Sequence, residues 1–184
     1  MSLMVRKKAI DAKTVYSIIS YLLQYPSKEI TFSMTAIKET IGDMEHPQLY
    51  MHFSSFFHWI GDMTEAEWEE HYIQTFDFGK KTNLYISYDL KGEDKERGTV
   101  LLNIKQAYRA GGFKVDSDEL PDYLPMMLEF CAHAEPDDRR NLIETYYPQI
   151  KGIREGLVEA QSGYTFILDA LLVTLERDGI RSAA

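Results

Sequence analysis

Three features of this 184-residue chain predict an all-α fold, a single-domain bundle of eight or nine helices over residues 1–184. Apolar residues recur at spacings of three and four, the repeat that gathers them on one face of a 3.6-residue helix. Alternating apolar and polar stretches, the mark of half-buried strands, have no partners to pair with. Connections between the periodic segments are short, and no repeat, low-complexity run or composition break marks a second domain.

The elements follow in order. Ala12, Val15, Tyr16, Ile19, Leu22 and Leu23 form the first helical stripe, with Pro26 just beyond its end. A second helix is expected over Thr35 to Ile41, stopped at Gly42. Leu49, Phe53, Phe56, Phe57 and Ile60 make a third, ending near Gly61. Thr64 to Glu67 reads T-E-A-E, a capping box in which hydroxyl and carboxylate each satisfy a free N–H, and its helix should run to about Thr75. Phe76 to Lys91 is aromatic, and without a partner strand it is expected as loop followed by a short helix. Asp94 to Gly111 carries Val100, Leu101, Ile104 and Tyr108 on one face, and Gly111-Gly112 ends it. Pro121 and Pro125 bracket a turn into a helix that points Leu128, Cys131 and Ala132 inward. Two last helices are expected over Pro148 to Gln161 and Tyr164 to Arg177, the second burying Tyr164, Leu168, Leu171, Leu172 and Leu175.

Composition narrows the function. Hydrophobic residues make up 45% and charged residues 27%, and the Phe, Trp and Tyr residues supply ample bulk for a core. No apolar run approaches the roughly 18 residues that a membrane span needs. Asp11 and Lys13 follow closely on Arg6, Lys7 and Lys8, so no signal-peptide core is expected. Cys131 is the single cysteine, which excludes a disulfide framework or a cysteine metal cluster, and a cytoplasmic location is expected. The net charge of -9 argues against nucleic acid as a partner.

The charges are uneven. Glu39 to Gly79 holds nine acidic residues and no Lys or Arg, Lys80 to Lys114 has eight basic against four acidic, and Val115 to Arg140 has eight acidic against two basic. Solvated helix faces explain such runs, and so does an acidic surface that receives a basic partner. Catalytic chemistry is scarce. The five histidines form neither H-x-x-x-H nor H-E-x-x-H, and there is no phosphate loop or nucleophile elbow. Glu67 and His71 stand four apart and could share a metal or make a plain polar contact. Cys131, on an apolar stripe, reads as an inert core thiol. No catalytic, metal or cofactor site is expected.

The run ELPDYLPMMLEF, from Glu119 to Phe130, resembles the signature of NarJ-type nitrate reductase delta-subunit chaperones. It is also similar to the E-x-P-D-H element of the wider TorD-type family of redox-enzyme maturation chaperones, with Tyr123 in place of His. Tyr72-Ile73-Gln74-Thr75-Phe76 resembles that family's Y-x-x-x-F element, and KKTNLYISYDLKGEDKERG and YRAGGF look like NarJ-type sequence. Glu135-Pro136-Asp137-Asp138 resembles the same acidic motif but follows the LEF helix, so it reads as a helix start. The resemblance implies a non-enzymatic, cytoplasmic, TorD-like chaperone without cofactor. It would bind the N-terminal leader of the nitrate reductase catalytic subunit and hold that subunit for molybdenum cofactor and iron–sulfur insertion. It would do so as a monomer or weak homodimer, without inserting into membrane. A generic helical adaptor for another redox-enzyme leader is the alternative, and a metal-dependent hydrolase a third reading. The residues expected to meet the peptide are Glu119, Pro121, Asp122 and Tyr123, with Asp77, Tyr72, Phe76, Tyr88 and Tyr108. Glu119 and Asp122 are expected to project together beside the following helix.

Overall fold

The structure, a computed structural model, describes residues 10–88, 94–116 and 118–181. The chain forms helices α1 (Ala12–Leu22), α2 (Lys28–Gly42), α3 (Pro47–Gly61), α4 (Glu65–Tyr72), α5 (Asp94–Ala110), α6 (Leu124–His133), α7 (Pro136–Glu159) and α8 (Tyr164–Arg177). A π-helical turn, Ile73–Asp77, extends α4. No strand forms among the described residues, where Tyr85 makes an isolated antiparallel bridge with Tyr123, so the all-α expectation holds.

Local chemistry sets the helix starts. Asp11 accepts from the Thr14 N–H at 2.7 Å, and the Thr64–Glu67 capping box forms as its spacing predicts, with Glu67 accepting the Thr64 N–H at 2.8 Å. Pro136 opens α7, with Asp137 and Asp138 in its first turn at the positive end of the helix dipole. At the end of α5, Gly112 takes φ +81, and the Phe113 N–H returns to the Tyr108 carbonyl at 2.8 Å.

Two helices are longer than their sequence suggests. α2 begins at Lys28, not Thr35, because Ile30, Met34 and Ile41 are all buried on one face; exposed Phe32 hides that stripe in the sequence. α7 is one helix from Pro136 through Pro148, not a helix that starts at Pro148. Proline removes one intrahelical donor and crowds the preceding turn. Here it stands on the exposed side, while Leu142, Ile143, Tyr146, Ile150, Ile153 and Leu157 stay buried along the other. The segment after the π turn is loop from Phe78 to Tyr88; the rest of the stretch expected to hold a short helix lies outside the described residues.

α1 is the centre of the bundle and packs on α6 and α8, and α8 packs in turn on α3 and α7. Val15, Tyr16, Ile19, Leu22 and Leu23 have no solvent exposure, and each such side chain contributes about 1.5–3 kcal/mol by leaving water. Tyr164 is a second hub. Its ring meets Phe56 at 5.3 Å and Phe76 at 4.7 Å, and its hydroxyl accepts from the Trp68 indole at 2.8 Å. One ionic group closes the bundle. Asp178 Oδ2 accepts from the Tyr16 hydroxyl at 2.9 Å and from Arg139 Nε at 2.8 Å, joining α1, α7 and the end of α8.

Three half-buried histidines respond to pH. Burial is the first cause lowering the pKa of His46, His52 and His71, and His71 sits beside the Trp59 and Tyr164 rings with Nε2 against Ser162 Oγ at 2.8 Å. A lowered folded-state pKa means that unfolding favours proton uptake. Their contribution is therefore complete above the unfolded value of about 6.5 and is lost as pH falls below it. The thermal midpoint should be level from pH 8 to about 6.5 and decline from there to about 5.5, before carboxylates titrate. A level midpoint across the lower interval would contradict this assignment.

Candidate functional site

The turn Glu119–Tyr123 is held from three sides. The Ile86 N–H donates to the Asp122 carbonyl at 3.0 Å and the Leu124 N–H to the Leu84 carbonyl at 2.8 Å, so loop 84–86 runs against the turn like a strand fragment. From α5, the Tyr108 hydroxyl donates to the Pro121 carbonyl at 2.7 Å. Beneath, Pro121 and Asp122 are buried.

Asp122 does not project beside Glu119. It has no solvent exposure, and its Oδ2 accepts from the Ser87 N–H at 3.0 Å and from the Ser87 hydroxyl. Ser87 Oγ accepts in turn from Arg97 Nε of α5 at 3.2 Å. A carboxylate that accepts from a backbone amide and a hydroxyl locks a loop in place. Asp122 Oδ1 is buried with no hydrogen-bond partner among the described residues.

Glu119 lies at the surface side of the turn. Its Oε1 accepts from the Tyr85 hydroxyl at 2.7 Å and from the Leu120 N–H at 2.9 Å. Tyr123 is half-buried between neighbours, its ring 5.2 Å from that of Tyr85 and its hydroxyl 3.2 Å from that of Tyr72. Because Tyr72 gives its proton to the Leu23 carbonyl at 3.0 Å, Tyr123 is the donor to Tyr72. Burial is the leading cause that raises the pKa of Tyr72, Tyr85, Tyr108 and Tyr123, and the Glu119 hydrogen bond adds to it at Tyr85. All four therefore stay protonated and act as donors.

Asp77 closes the π turn as an exposed carboxylate, near enough to raise the pKa of Tyr25, Tyr72 and Tyr123. Phe76, one residue earlier, is buried between Tyr72 at 4.8 Å and Tyr164 at 4.7 Å. Two further residues, neither among the nine expected, complete this face. Tyr25, 42% exposed, sets its ring edge-on to Tyr72 at 5.6 Å, and Glu69 of α4 stands beside its hydroxyl. Glu69 could have been found, since it precedes Tyr72 by three residues on one helical face; Tyr25 arrives from the end of α1.

The nine expected residues thus divide. Tyr72, Phe76, Tyr108, Pro121 and Asp122 are buried supports, while Asp77, Glu119, Tyr123 and half-exposed Tyr88 reach the surface. The exposed face is aromatic with an acidic rim. It suits a partner that carries positive charge and apolar groups together.

Glu67 is occupied in the capping box and His71 with Ser162, so this pair is a set of polar contacts and not a shared metal site. Burial raises the pKa of the Cys131 thiol, and the residue is an inert core thiol. Among the described residues, no helix is long and apolar enough to cross a membrane.

The family model described as nitrate reductase delta subunit matches residues 42–161. The chain is 38% identical over 173 residues to the probable nitrate reductase molybdenum cofactor assembly chaperone NarJ of Bacillus subtilis (strain 168), covering 94% of each protein. It is 26% identical over 157 residues to the NarJ chaperone of Escherichia coli (strain K12), covering 84% of this chain and 66% of that protein. It is also 33% identical over 103 residues to the nitrate reductase-like protein NarX of Mycobacterium tuberculosis (strain ATCC 25618 / H37Rv), spanning 56% of this chain and only 16% of that much longer protein.

Proposed function

This chain belongs to the nitrate reductase delta subunit family, and on that premise we propose that it is an assembly chaperone for a nitrate reductase and has no catalytic activity of its own. It binds the N-terminal leader of the catalytic subunit in the cytoplasm and holds that subunit open for molybdenum cofactor and iron–sulfur insertion. Relatives named as molybdenum cofactor assembly chaperones support the first part of this reading. The observation that carries the leader is the aromatic face made by Tyr25, Tyr123 and Tyr85 with Glu69, Asp77 and Glu119 around it.

The physical logic is that of a helix or extended peptide seated on a partly apolar surface. Tyrosine rings give flat contact area at low entropic cost, with a hydroxyl at the tip. The rim carboxylates draw a basic leader in and orient it, while apolar contact sets how long it stays. Charges on such a rim are screened beyond about 8 Å at physiological ionic strength. Affinity for a leader peptide, measured by calorimetry, should therefore fall as salt rises. Affinity that is flat from low to high salt would remove the acidic rim from the reading and leave the aromatic contacts alone.

A further inference from the structure

α1 and α2 leave a shallow groove of about 450 Å³ between them, on the outside of the bundle. Ile18 and Tyr21 of α1 and Ala36 and Ile37 of α2 give it an apolar lining, and no charged residue lines it. Three of its hydroxyls are spent within the chain. Thr40 donates to the Ala36 carbonyl at 2.9 Å and Ser33 to the Glu29 carbonyl at 2.9 Å. Because Ser33 gives its proton away, the Tyr21 hydroxyl is the donor to Ser33 at 3.1 Å. Hydroxyls that already have partners cost little when water leaves the surface. Beside the groove stands Phe32, which at 89% is the most exposed large apolar side chain among the described residues. It precedes Ala36 by four residues, so the two share one face of α2.

We propose that this face binds a second copy of the chain, each copy laying its Phe32 against the other's α1–α2 groove. Knob and groove lie on one face of one molecule, so a two-fold pair uses each of them twice. That is the self-complementarity an isologous contact requires. Charge points to the same occupant. At a net charge of -9 two copies repel, and across this groove they meet without setting like charge on like. A basic leader gains nothing from a lining that holds no carboxylate. Area sets the strength of the pair. An aromatic side chain buries about 150–250 Å², so two Phe32 rings fall well short of the roughly 1,200 Å² at which stable interfaces begin. The dimer is therefore weak and reversible, present at high protein concentration and lost on dilution.

The test is sedimentation velocity over a range of protein concentrations on wild type, Phe32→Ala and Ala36→Arg, with a thermal midpoint for each. Wild type should move from monomer towards dimer as concentration rises. Both substituted side chains are exposed, and alanine and arginine are good helix formers, so the midpoints should match wild type. Phe32→Ala removes the knob, and Ala36→Arg crowds the groove and brings a cation from each copy into the contact. Each should raise the dimer dissociation constant about tenfold or more. A wild type that stays monomeric at every concentration would overturn the proposal. A dimer unchanged in either folded variant would place the contact elsewhere and overturn it too. Should Ala36→Arg not fold, Phe32→Ala decides alone. A monomeric wild type whose affinity for the leader peptide drops in Phe32→Ala would give the face to the peptide in place of a second copy.

Discussion

Asp178→Ala should cost about 3–5 kcal/mol of folding stability, the range for removing one partner of a buried ion pair. Asp178 Oδ2 is the acceptor for both Arg139 Nε and the Tyr16 hydroxyl. The side chains of Arg139 and Asp178 are only 9% and 15% exposed, and Tyr16 is fully buried, so water cannot easily take over either bond. The substitution leaves a guanidinium beside the Tyr16 ring without its Asp178 counter-charge and, among the described residues, with a 3.4 Å contact to the Ala134 carbonyl. Asp178→Asn keeps an acceptor and should lose less. Urea unfolding of the two variants measures the difference. A loss below about 1 kcal/mol in Asp178→Ala would mean that the group behaves as an ordinary surface pair.

The second large effect is expected at Asp122. Asp122→Ala strands the Ser87 N–H and hydroxyl in a site where Ser87 itself is 1% exposed, and a loss of about 2–3 kcal/mol follows from deleting a charged acceptor there. Asp122→Asn should lose only about 1 kcal/mol. Its amide oxygen can still serve Ser87, and its amide nitrogen takes the place of Oδ1, which has no partner among the described residues. Because Asp122 has no solvent exposure, the Asn variant should bind leader peptide as wild type does. Full stability with lost affinity in Asp122→Asn would put this carboxylate in contact with the partner and reverse its assignment as a support.

The bundle was legible because its signals are local. The T-E-A-E box, the stripe of α1 and the double glycine after α5 each act within a few residues, and each forms as read. The sequence pattern shortens α2 because Phe32, 89% exposed, interrupts its apolar stripe, and it divides α7 at Pro148 because proline usually ends helices. The site was legible in its parts and not in their depth. An acidic residue after proline in a turn reads as exposed. Asp122 is buried because loop 84–87, remote in sequence, covers it with a bridge and two hydrogen bonds to its carboxylate. Tyr25 joins the site by the same kind of long-range contact, which leaves no local pattern.

The most direct measurement is a calorimetric titration of the catalytic subunit's N-terminal leader peptide into wild type and into Asp77→Asn/Glu119→Gln, with a thermal midpoint taken on each sample. Wild type should bind saturably and less tightly as salt rises, and the double variant should bind more weakly at an unchanged midpoint. No binding by wild type, or equal binding by the two at every salt concentration, would contradict it.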